Sequence, residues 1–242
     1  AITEKGNLFS SIKFYKLCKE KKIKPILGCD FYVGDWKNGG RISSLTVLAK
    51  NEKGWKALIK AVSESNKKEN YNSERQIPTL TEERLAEILN GNCFVYTGGI
   101  SSTFACNLFN DKWEEAIKCR NYEVCRKLVR LDWAEFTEKF IRYQQKLFGE
   151  ANFFLEVQPI FDSIECCSIL TKLVRWTGEK FKVKVIGTAN PHYLDKDTAE
   201  DQRILLCSAN QATLNNVETK IEQNKDFLDL LFFRGSYHYF PS

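Results

Sequence analysis

The sequence predicts an α/β fold. Strands and helices alternate over at least four units, and strands end in polar or glycine-rich residues before the next helix begins. Those ends are Thr3-Glu4-Lys5-Gly6, Thr97-Gly98-Gly99 and Thr188-Ala189-Asn190. The alternation implies a parallel sheet, in which the loops after the strands gather on one functional face. Periodicity alone does not choose between a barrel and an open sheet.

Ala1-Ile2-Thr3 reads as the end of a buried strand, and Gly6-Asn7 turns the chain into a helix over residues 8–22. There Leu8, Ile12, Tyr15 and Cys18 or Lys19 share one stripe at three- and four-residue spacing, with lysines on the other face. Pro25 stops the helix, and ILGCDFYV (26–33) is a strand interrupted by Gly28. After a turn over 34–41 come a strand at 44–49 and a helix at 52–65. Residues 66–78 are polar, end at Pro78 and read as a surface loop. Thr81 followed by Glu82 and Glu83 caps a helix that Asn90-Gly91 ends, and CFVYT (93–97) is a short strand. Residues 101–149 read as helical throughout, followed by a strand at 152–157, a helix at 162–180 and a strand at 183–188. From 197 the alternation gives way to helix, loop and tail.

A chain of 242 residues holds one large domain or two small ones, and its composition is that of an ordinary globular protein. No apolar run approaches the roughly 20 residues needed to span a bilayer, and no signal-peptide pattern occurs, so a cytoplasmic location is expected. Nine scattered cysteines without a CxxC pair read as small buried hydrophobes in a reducing compartment rather than a disulfide or zinc framework. The net charge of +5 is mild. The lysines of Lys19–Lys24 and Lys67-Lys68 read either as solvated faces or as a weak electrostatic contribution to nucleic-acid binding. The chain contains no methionine and opens on the end of a strand, which leads us to expect further residues upstream.

Several strand ends carry recognisable residues in order. AITEKGNLFSSIKFYKLCKEKKIKPILGCDFYV (1–33), LTVLAKNEKGWKAL (45–58), residues 93–99, FFLE (153–156), VIGTANPHYLDKDTAEDQRILL (185–206) and the final YHYFPS follow one another with regular spacing. Together they resemble the PHP domain at the N-terminus of bacterial-type DNA polymerase III α subunits. The likeness is weakest between residues 100 and 150. It implies a TIM-like but distorted seven-stranded β/α barrel over 1–195 whose first strand precedes this sequence. Residues 196–242 would form a helical extension and tail leading toward a polymerase core.

The same resemblance locates a site. Metal-loaded family members hold divalent cations between imidazoles and carboxylates on several strand ends, and use them to activate water toward phosphate. Here Glu4-Lys5 stands where the family has Asp-His, and a lysine ammonium repels a metal and offers it no lone pair. Asp30 stands for a glutamate, Ser44 for a histidine, Gly99 for a cysteine and Asn190 for an aspartate, while His192 retains its histidine. These positions read as vestigial, so no catalytic residue and no metal are expected in this segment. Asp30 could instead pair with Lys5, His192 could be a structural residue or a surviving ligand, and His238 reads as a packing or surface residue.

No P-loop, GxSxG or GxGxxG signature occurs. The resemblance therefore implies a non-catalytic structural and docking module of a replicative DNA polymerase III α subunit. Its partners would be the polymerase core, whose Mg2+ lies outside this segment, a proofreading exonuclease subunit, and DNA through the whole enzyme. The competing readings are an active metal-dependent phosphoesterase or 3′–5′ exonuclease, and a free-standing interaction protein derived from the polymerase.

Overall fold

Local chemistry sets where helices begin and end. Asn51 accepts a hydrogen bond from the Gly54 N–H at 3.0 Å and Thr81 one from the Arg84 N–H at 3.2 Å, so each caps the helix that follows it. Asn90 takes a left-handed conformation, φ 43°, and ends the helix Thr81 began. A computed structural model describes residues 1–72, 77–158, 164–224, 230, 231, 233, 235, 238 and 239.

The first half forms β1 (Ile2–Lys5), α1 (Ser11–Glu20), β2 (Leu27–Val33), β3 (Ser43–Ala49), α2 (Glu52–Ser65), β4 (Tyr71–Asn72), β5 (Ile77–Leu80), α3 (Glu82–Leu89) and β6 (Cys93–Tyr96). The second half forms α4 (Thr103–Phe109), α5 (Trp113–Lys118), α6 (Tyr122–Arg126), α7 (Trp133–Phe148), β7 (Phe153–Val157), α8 (Glu165–Phe181), β8 (Val185–Gly187), α9 (Ala199–Ala209) and α10 (Val217–Asn224).

Eight strands join in the order β4-β5-β2-β3-β6-β7-β8, with β1 paired to β2. β1 lies along the first half of β2, from Ile2 opposite Leu27 to Lys5 opposite Asp30. β5 pairs with the second half of β2, at Tyr32 and Val33. Strand ends from β1, β2, β3, β6, β7 and β8 border one cavity, as in a distorted α/β barrel, although hydrogen bonding between β8 and β1 does not close the sheet among the described residues. Gly28 permits the tight pairing of β2. A Cβ there would lie 2.4 Å from the Val47 carbonyl oxygen and 3.0 Å from Thr3 Cγ2.

The structure corrects three expectations. The sheet is mixed rather than parallel, because β3 runs antiparallel to both β2 and β6. The link over 34–42 contains only a short 3-10 turn and is too short for the crossover that a parallel pair needs. The surface loop over 66–78 instead contributes β4 and β5, with Pro78 in β5, while residues 73–76 of that stretch lie outside the described residues. The stripe of α1 faces the core only at its ends: Leu8 packs against a buried cluster and Cys18 is buried, whereas Ile12 is 53% exposed and Tyr15 41%.

Two clusters of buried side chains fill the interior. One joins β2, β3, β5, α2, α3 and β6. The other joins the helices over 103–141 to β7 and α8, and includes Cys207, Val217, Ile221 and Leu230 from the C-terminal helical segment. All nine cysteines are free thiols, eight of them buried and Cys119 half-buried. No helix among the described residues is long and apolar enough to cross a membrane.

Candidate functional site

All seven positions singled out from the sequence, Glu4, Lys5, Asp30, Ser44, Gly99, Asn190 and His192, line one cavity of about 830 Å³. They reach it because the strands end side by side, and because Asn190 adopts a left-handed backbone, φ 45°, that asparagine tolerates.

Glu4 accepts the Ser10 N–H on Oε2 and the Ser10 hydroxyl on Oε1, both at 2.9 Å, so its carboxylate holds the start of α1. Lys5 and Asp30 are register partners on adjacent strands, yet they form no ion pair within 4 Å among the described residues. Burial pushes the Asp30 carboxyl up, opposed by the Lys5 charge and by the Thr46 hydroxyl, which donates to Oδ1 at 3.1 Å. Ser44 shares a hydroxyl contact with Ser101 at 3.2 Å.

Gly99 provides space that another side chain fills. A Cβ at this position would sit 2.5 Å from Gln158 Oε1, and Gln158 Nε2 donates to Glu156 Oε1 at 3.2 Å. Restoring a cysteine should therefore displace Gln158. We expect Gly99→Cys to lower the melting temperature by a few degrees, about 1 kcal/mol of overpacking, and Gln158→Ala in the same chain to recover most of that loss. Calorimetry on the two single variants and the double variant checks this, and strictly additive losses would show that Gln158 is not the obstacle.

Glu156, the last residue of the FFLE strand motif, also lines the cavity. It is 4% exposed, its N–H donates to Thr97 Oγ1 at 3.0 Å, and Oε1 accepts from the Thr188 hydroxyl as well as from Gln158. Oε2 has no well-aligned partner among the described residues. Burial pushes the carboxyl up to about 7, against the Thr188 and Gln158 hydrogen bonds, with the Asp30 charge adding to the rise. A charged residue within an otherwise apolar strand buried on both faces was the available signal.

His238 also reaches the cavity, and is buried rather than at the surface. Its carbonyl accepts the His192 and Tyr193 N–H groups, and its Nδ1 lies 3.2 Å from the Asn190 carbonyl. The His192 and His238 rings meet edge to face at 5.1 Å. Burial pushes His238 down to about 4, helped by the charges of His192 and Lys5. His192, more exposed at residue level, moves in the same direction through partial burial of its ring and the Lys5 charge. Nothing in the local sequence brings the tail back here; its return to residues 190–193 is a long-range contact.

Lys5 places a cation among the remaining donors, Gln158 fills the space beside Gly99, and both Glu4 oxygens are engaged by Ser10. Among the described residues, no three His, Cys, Asp or Glu side chains form a group able to hold a metal ion. The arrangement provides a polar network in which Asp30 is bonded to Thr46, and Glu156 to Thr188 and Gln158.

Residues 1–159 match the family model for the PHP domain. The DNA polymerase III subunit alpha of Treponema pallidum is 25% identical over 236 residues, covering 92% of this chain and 18% of that protein. Its counterpart in Borreliella burgdorferi is 28% identical over 238 residues, covering 94% of this chain and 18% of that protein. In Chlamydia trachomatis the likeness rises to 42%, but over 66 residues, 24% of this chain and 5% of that protein. The chain thus spans under a fifth of the length of the polymerase subunits it resembles.

Proposed function

The chain belongs to the PHP domain family, and we propose that it serves as the N-terminal PHP module of a replicative DNA polymerase III α subunit, as scaffold and docking surface rather than as a nuclease. The observation that carries this reading is the reach of the similarity, over nine-tenths of this chain against under a fifth of the polymerase subunits. Nucleotidyl transfer requires paired carboxylates holding Mg2+, and in this reading they lie in a polymerase core outside these residues. The core and a proofreading exonuclease subunit are the proposed protein partners, with DNA engaged through the whole enzyme in the cytoplasm.

The loss of metal chemistry is supported by the position of Lys5. Water activation by a metal requires a neutral or anionic donor set that leaves a coordination position open. In this cavity the Lys5 ammonium lies among Glu4, Asp30 and His192, the donor positions that remain, and it would repel a divalent cation placed between them. The cavity mouth instead serves as a set of interlocked strand ends.

The test combines metal analysis with an assay. After purification in medium supplemented with zinc and manganese, we expect well under one metal ion per chain and no chelator-sensitive hydrolysis of a phosphomonoester or of a DNA 3′ end. Near-stoichiometric metal with activity that a chelator abolishes would overturn the proposal in favour of an active phosphoesterase. Coding sequence that ends without a polymerase core would overturn the polymerase assignment separately.

A further inference from the structure

The densest run of basic charge in this chain lies in one segment. Residues 13–24 contain Lys13, Lys16, Lys19, Lys21, Lys22 and Lys24 against the single acid Glu20, which accounts for the entire net charge of +5 and leaves the rest of the chain balanced. All six lysines are exposed. In this stretch, among the described residues, the one ion pair joins Lys21 to Glu20 at 3.6 Å between largely exposed side chains.

Apolar side chains lie between these lysines. α1 is seated through Ser11 and Cys18, so the face opposite them points outward. Phe9, just before the helix, is 88% exposed, and Lys13, Lys16 and Glu20 follow it at helical spacing. Ile12, Tyr15 and Lys19 form the flank, with Lys19 Nζ 5.5 Å from the centre of the Tyr15 ring. Exposed aromatic rings interleaved with exposed lysines match the chemistry of single-stranded nucleic acid, whose phosphates meet the cations while open bases stack on rings.

We propose that α1 and the turn after it form a binding surface for single-stranded DNA. The inference rests on this surface alone and does not depend on the polymerase assignment. A protein partner fits less well, because lysine is depleted at protein–protein interfaces. Duplex DNA keeps its bases stacked away from Phe9 and Tyr15, so the surface should favour the open strand.

Fluorescence anisotropy of a labelled oligothymidylate, titrated with the 242-residue chain over a range of NaCl concentrations, tests the proposal. Binding should weaken with salt. Replacing Lys13, Lys16 and Lys19 together with glutamine should reduce the log–log salt slope by about 2. Phe9→Ala should weaken binding about 10-fold with little change in that slope. Phe9 is so exposed that the variant should melt as the parent chain does, and Lys53→Gln with Lys60→Gln on α2 should leave binding unchanged. Failure to bind the oligonucleotide at low salt would overturn the proposal. So would α1 variants that bind as the parent does, equal and Phe9-independent binding to duplex, or self-association that Phe9→Ala dissolves while the oligonucleotide remains unbound.

Discussion

Phe104→Ala is expected to reduce folding stability by about 3–5 kcal/mol, the range for deleting a fully buried phenyl ring. Phe104 is 0% exposed and ties the helical block to the sheet. Its ring stacks on Phe136 at 6.0 Å and packs against Phe140 at 5.2 Å, and Phe140 in turn meets Phe153 of β7 at 6.3 Å. Contacts therefore run from α4 through α7 to β7. Removing the ring leaves a cavity against Phe136 and Phe140 of α7, and because Phe140 is braced in turn by Phe153, collapse should recover little of the loss. Phe94→Ala should cost far less, because Phe94 is 38% exposed and contacts Phe154 alone among aromatic rings of the described residues, at 5.5 Å. Equilibrium urea unfolding of both variants, with the slope checked for two-state behaviour, measures the contrast. Comparable losses at the two positions would mean that the aromatic chain does not anchor the helical block.

That block is also where the sequence was most informative about structure type and least informative about family. Residues 101–149 read as helical because apolar and charged residues interleave with no strand alternation, and α4 to α7 follow. Cap chemistry was equally local: Thr81 with Glu82 and Glu83 located the start of α3 to the residue. The errors arose where a periodic pattern had two physical meanings. An apolar stripe on a helix reads as a face turned to the core, but Ile12 and Tyr15 of α1 are exposed, and nothing within the stripe distinguishes core from solvent. Strand direction is not encoded in strand periodicity, and only the short link before β3 distinguishes an antiparallel neighbour from a parallel one. The site followed the same division. Positions carried by ordered strand-end motifs all converge on one cavity, whereas Gln158 and His238 reach it through contacts that no local pattern announces.

Glu156 supplies the second large effect, and it depends on pH. Its carboxyl is raised to about 7 in the fold, against an ordinary value of 4.5. Below pH 4.5 the group is protonated in both folded and unfolded chains and burial costs no ionisation energy. As pH rises toward 7 the unfolded chain ionises first, so stability falls, and above 7 the loss levels off. Between about pH 5 and pH 8 this should remove about 2.5 kcal/mol from the parent protein. The amide introduced by Glu156→Gln cannot ionise, yet it can keep contacts to Thr188 and Gln158. The stability difference between variant and parent should therefore shift in favour of the variant by about 2.5 kcal/mol from about pH 5 to pH 8, roughly 5–10 °C in melting temperature for a chain of this size. His238 acts in the opposite direction. Held down at about 4, it favours the fold above its ordinary 6.5, and that contribution is lost as pH falls through 4. Because His238 is present in both proteins, its contribution cancels in the comparison and the remaining shift belongs to Glu156. Melting curves of the two proteins at half-unit steps across that range decide the matter, and a constant offset throughout would show that Glu156 carries no perturbed proton.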